Sequence, residues 1–122
     1  MIKEDELFQK GIDSFNKRKF YDAHEYWEEI WTEINIPDDN FFQGLIQLSV
    51  AYFHISNHNI KGAKSLFNKS INKLVDYIPL HRGLDVKLIV SKAKKSLIIL
   101  NENSSTDNFN WDIVPLLLIK ND

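Results

Sequence analysis

The sequence predicts an all-α fold, an antiparallel bundle of about five helices built from two helix hairpins. Three observations carry that expectation. Apolar residues recur at three-to-four spacing through most of the first hundred positions. Pro37 and the stretch from Pro79 to Gly83 fall between such runs, where a helix must stop. Two blocks of similar pattern also lie forty residues apart. At 122 residues the chain reads as one domain, 1–122, with a bundle over about 4–101, a loop at 102–109 and an apolar tail at 110–120.

The first helix is expected over residues 4–17, where Leu7, Phe8, Ile12 and Phe15 form one stripe. After the polar break NKRK, a second spans about 20–34. Its stripe is Phe20, Ala23, Trp27, Ile30, Trp31 and Ile34, which assigns both tryptophans to the core. Pro37 ends it, and Asp38 and Asp39 suit the start of a third helix at 40–56. That helix is apolar nearly all round, which marks a central element. Asn59 is a natural cap for a fourth, at 59–78. PLHRG reads as a short loop before a fifth helix at 84–101. NENSSTDNFN is a loop by composition. WDIVPLLLI is too apolar to hang in water and, with Pro115 inside it, is expected to dock on the bundle, on its own chain or a partner's.

The repeat pairs Phe8, Gly11, Ile12, Phe15, Phe20, Ala23, Trp27, Trp31 and Ile34 with Leu48, Ala51, Tyr52, Ile55, Ile60, Ala63, Phe67, Ile71 and Leu74. Each half has a small residue on its first helix and an alanine twelve positions later, which lets two backbones approach. The pattern resembles the tetratricopeptide helix hairpin, although that family's usual period is 34.

Composition excludes several function classes. With no cysteine, disulfides, thiolate catalysis and cysteine-ligated metal sites are ruled out. A formal charge of −2, with lysines scattered among acids, disfavours nucleic acid. No run reaches the roughly 18 to 20 apolar residues needed to span a membrane. The charged amino terminus lacks a signal-peptide core, so a cytoplasmic location and no membrane partner are expected. Phosphate loops, dinucleotide fingerprints, nucleophile elbows and zincin motifs are absent.

The candidate site is polar residues on otherwise apolar helices. In AHEYWEEIW, His24 lies about 20° from Trp31 on the helical wheel, with Glu28 one turn on. Glu25, Glu29 and Glu33 point elsewhere, toward solvent. Gln43, Gln47 and His54 fall within about 40° of one another on the third helix. If the two patches face each other, His24, Glu28, Gln47 and His54 share a pocket. One outcome is a buried hydrogen-bond network that fixes helix register. Another is a metal-free ligand pocket with Gln43 and Gln47 as binding residues. A third is a divalent metal on His24, Glu28 and His54, since two histidines and a carboxylate can hold an ion that activates water. His58 and His81 fall near turns and are expected to be solvated or capping. Arg82 beside Gly83 offers an anion site, although Asp85 favours ordinary capping of the fifth helix.

The runs FNKRKFYDAHEYWEEIW, FFQGLIQLSVAYFH and NIKGAKSLFNKSINKL together resemble the domain-of-unknown-function family 309, over about residues 8–90. The resemblance implies a compact all-α fold and no established activity. The preferred functional expectation is a small binding or protein-interaction module with a protein or peptide partner and no cofactor. The apolar tail and aromatic content also admit a homodimer. The alternative is a metal-dependent or acid–base hydrolase using His24, Glu28 and His54, with Glu25 in support.

Overall fold

The computed structural model describes residues 2–103 and 105–120. Five helices follow one another: α1 (Ile2–Asn16), α2 (Phe20–Glu33), α3 (Asp39–Ser56), α4 (Ile60–Leu74) and α5 (Val86–Glu102). They pack antiparallel, each on the next, with α3 wedged between α2 and α4. Phe41, Phe42, Leu45, Leu48, Tyr52 and Ile55 of α3 are all buried, which confirms α3 as the central element.

The forty-residue repeat is structural. Arg18 and His58 both adopt left-handed backbone, with φ of 62° and 60°. The amides of Lys19 and Asn59 each donate to a carbonyl five residues back, Ser14 and His54, at 2.8 Å. Those of Arg18 and His58 each reach back three, to Phe15 and Ile55. This is the same Schellman ending used twice, with a non-glycine residue bearing the left-handed cost both times.

Within the first hairpin the Trp27 ring lies on the α1 backbone. Its indole N–H donates to the Phe8 carbonyl at 3.3 Å, and a Cβ on Gly11 would overlap the ring. Within the second, a Cβ on Gly44 would meet the Leu74 side chain, and the Ser70 hydroxyl donates to the Gly44 carbonyl at 2.8 Å. Asn59 caps α4 as expected, accepting from the Gly62 amide at 2.9 Å.

Two boundaries differ from the sequence reading. The fourth helix ends at Leu74 rather than 78, continuing as a 3-10 turn over Val75–Tyr77. Pro79 biases Ile78 to extended backbone (φ −68°, ψ 141°), so Ile78 leaves the helix whose stripe it seemed to continue. PLHRG is not a plain loop. Strands β1 (Leu80–His81) and β2 (Leu84–Asp85) pair antiparallel across Arg82 and Gly83, both at positive φ, as a two-residue hairpin turn requires.

The tail docks on its own chain. The Asn16 side-chain amide both donates to the Leu117 carbonyl and accepts from the Leu117 amide, each at 2.8 Å. The Lys120 amide donates to the Gly83 carbonyl at 2.7 Å. Upstream, Trp111 stacks on Phe20 at 6.0 Å, and the Arg18 guanidinium donates to the Trp111 carbonyl. His58 meets the Thr106 hydroxyl at 3.0 Å. One segment thus closes both hairpin turns.

Gly11→Ala should lower stability by about 2 kcal/mol, because the new methyl overlaps a buried ring that cannot move freely. Urea unfolding reads this directly, and an unchanged midpoint would refute close packing of Trp27 on α1.

Candidate functional site

The polar residues singled out on α2 and α3 do not meet. His24 is 16% exposed, with Nε2 3.4 Å from the Glu28 carboxylate and Nδ1 3.1 Å from the Tyr21 carbonyl. These partners are one turn away on the same helix, and the Glu28 side chain is half exposed. Tyr21 packs against Phe53 at 5.3 Å, so this edge of α2 contacts the Phe53 side of α3. His54, next along the chain, turns to the other side. Its Nδ1 lies 3.4 Å from Asn59 Nδ2, beside the cap of α4. Among the described residues no three His, Asp or Glu side chains gather closely enough to hold a metal ion. The buried pocket expected of His24, Glu28, Gln47 and His54 is not formed. The wheels gave each angle correctly but not the neighbour it faces, and the α3 polar stripe faces α4.

Gln43 and Gln47 line a cleft of about 470 Å³ between α3 and α4, with Lys69, Asn72, Lys73 and Asp76. Gln47 Oε1 is buried without a hydrogen-bond partner, alone in this among the side-chain atoms of the described residues. An acceptor in that state costs roughly 1–3 kcal/mol, which a ligand N–H would relieve.

Trp31 corrects another expectation. It is 39% exposed, not core, and lines a hollow with Ile34, Ile36 and Asp39. It shares the arc of Trp27, but α2 ends two residues later and the chain leaves extended at Ile34, so the side chain is only partly covered. Glu29 and Glu33 lie at the surface as expected, 40% and 59% exposed, where they approach the exposed Lys3 at 3.5 and 3.8 Å.

A charged cluster that the sequence reading missed lies where α1, α3 and the hairpin converge. Arg82 Nε and Nη2 donate to both Asp38 oxygens at 2.6 and 2.9 Å, while Nη1 donates to Glu4 at 2.6 Å. The guanidinium sits 4.6 Å from the Phe42 ring centre. His81 Nε2 lies 2.7 Å from Asp38, its ring against Phe41 and Tyr77, each at 4.6 Å. His81 is therefore neither solvated nor capping, and Arg82 takes carboxylates of its own chain rather than an outside anion. Asp38 holds the cap position of α3 but gives no side-chain cap bond, because its carboxylate is engaged here. Asp85 does cap α5, accepting from Leu88 at 2.9 Å, as expected.

Burial pushes the Asp38 carboxyl up, but hydrogen bonds from Arg82 and His81 and the guanidinium charge outweigh it, holding the group at about 2. Burial and then the Asp38 charge raise the Tyr77 phenol. Burial raises Tyr52 further still, and its phenol meets Ser96 Oγ at 2.9 Å, so it stays neutral. These groups are held in fixed protonation states, unlike a general acid or base poised near neutrality.

Residues 8–66 match the sequence model of the family described as Domain of unknown function (DUF309), and that stretch carries the family's domain. It runs from α1 into α4 and includes His24, Glu28, Gln43, Gln47 and His54, but neither Arg82 nor the lysines of the cleft. No curated protein and no solved structure matches the chain. No helix among the described residues is long and apolar enough to cross a membrane.

Because the folded-state pKa of Asp38 lies below its ordinary 3.8, its stabilisation is complete above about pH 4 and is lost as pH falls toward 2. Asp38→Asn should therefore cost about 2 kcal/mol at pH 7 and progressively less below pH 4. Urea unfolding across that range tests it, and a pH-independent difference would mean that Asp38 carries no such linkage.

Proposed function

We propose that the protein is a small helical interaction module that recognises a polypeptide segment through the outward side of α3 and its cleft with α4. One observation carries the reading: Gln47 Oε1 is a buried acceptor without a partner, at a polar cleft. Buried polar atoms are ordinarily satisfied, and an orphan on a cleft-lining residue leaves an acceptor for a donor arriving from outside. Gln43 and Asn72 add side-chain amides, each offering a donor and an acceptor as a peptide backbone does. Lys69 and Lys73 favour an acidic residue in the bound segment. The hydrolase alternative has no comparable support, since His24 and Glu28 pair with each other along α2 while His54 turns to Asn59 beside the cap of α4.

Gln47→Leu separates this role from a structural one. It should leave stability unchanged or raise it by up to about 1 kcal/mol, since it removes an unsatisfied acceptor. It should also abolish capture of peptides that the wild-type protein retains on an immobilised random-decapeptide array. A loss of stability, or an unchanged array profile, would defeat the proposal.

A further inference from the structure

Charge is sorted between the helices. α2 carries five acids and no Lys or Arg, while α4 carries four lysines and no acid. Over residues 2–39 there are eleven acids against five bases, and over 60–102 nine bases against three acids. The lysines that seem scattered along the chain are segregated in space. α2 and α4 flank α3, so its outward side, a mixed surface of Gln43, Ile46, Gln47, Val50, Phe53 and His54, has an acidic helix on one border and a basic helix on the other.

The repeat sets the heights. Trp31 corresponds to Ile71 at the forty-residue offset, so on α2 it stands level with the part of α4 between Lys69 and Lys73. That part of α4 walls the cleft that Gln47 lines. An exposed indole, an N–H donor without acceptor capacity, thus stands across α3 from the cleft that Gln43 and Gln47 line.

We propose that a second copy of this chain docks on the outward face of α2, α3 and α4 about a two-fold axis parallel to α3, with Trp31 of each copy entering the α3–α4 cleft of the other. The proposal rests on the interaction reading above and names the partner. Such an axis lays α2 over the partner's α4 twice, acids over lysines, and keeps equal heights opposite one another. The indole N–H then reaches toward Gln47 Oε1, its ring lies between two ammonium groups, and Glu28 approaches them. A two-fold axis across α3 would instead set α2 on α2 and α4 on α4, like charge on like, so electrostatics selects one arrangement. Three helices about 9 Å apart and about 22 Å long offer roughly 600 Å² per copy, about 1,200 Å² in all, at the lower bound for a specific interface. That size suits a reversible dimer with Trp31 as its anchor.

The test is sedimentation equilibrium of the wild-type protein and two charge-reversed variants, Glu25→Lys/Glu28→Lys and Lys69→Glu/Lys73→Glu. The wild type should dimerise reversibly, at least tenfold more weakly in high salt. Each variant alone should be monomeric, because its two borders now repel those of its own twin. Their equimolar mixture should dimerise, since each variant complements the other. A wild type monomeric up to submillimolar concentration, or a dimer indifferent to both variants, overturns the proposal. Should a variant fail to fold, Trp31→Ala decides, expected folded and monomeric, and a persisting dimer refutes the docking. If the wild type is monomeric yet captures peptides in a Gln47-dependent way, the interaction reading stands and only the second copy is wrong.

Discussion

The arrangement of this bundle depends on one partly buried guanidinium. Arg82 cannot shed its charge, and its two carboxylate partners belong to the first turn of α1 and the start of α3. A buried ion pair adds little net stability over apolar packing, but removing one partner strands a charge at a cost of several kcal/mol. Its effect is therefore geometric. Only one placement of α1, α3 and the β-hairpin satisfies all four guanidinium contacts. That placement uses the left-handed backbone of Arg82 and the adjacent Gly83, whose carbonyl receives the end of the tail. Helix order, hairpin and tail are fixed at this end of the molecule, while the Schellman turns fix the other.

Much of the fold was legible because helical periodicity is a local signal. The five helices, the Asn59 and Asp85 caps, the central α3 and the docking tail follow from residues within one or two turns of each other. The Arg82 cluster was not legible, because its members stand 44 and 78 positions apart and each has an ordinary local explanation. Asp38 reads as the start of a helix, Arg82 as part of a turn. Trp31 was misplaced for a related reason. A wheel treats a helix as endless, and a ring in the core arc of its last turn has no neighbour beyond it.

The candidate site shows the same limit. Helical wheels placed Gln43, Gln47 and His54 on one stripe, and they assume no partner. In the folded chain His54 serves the turn into α4 and the two glutamines border α4, while His24 and Glu28 pair on α2. Charge sorting was within reach of the sequence, since counting Lys, Arg, Asp and Glu by helix rather than over the whole chain exposes it. A net charge near neutrality conceals two halves of opposite sign.

That sorting does little for the folded monomer. α2 and α4 lie on either side of α3, so their borders are about 18 Å apart, beyond the roughly 8 Å over which exposed charges interact at physiological salt. Within α2 the like charges repel, and Lys3 relieves only Glu29 and Glu33. On α4 the four lysines have no acid on their own helix. Opposite charges placed alternately along each helix would serve stability better, through pairs one turn apart. A hairpin used twice with one backbone and opposite surface signs is thus mildly unfavourable inside one molecule. The same pattern becomes favourable once an external surface brings acids onto lysines, as in the proposed dimer.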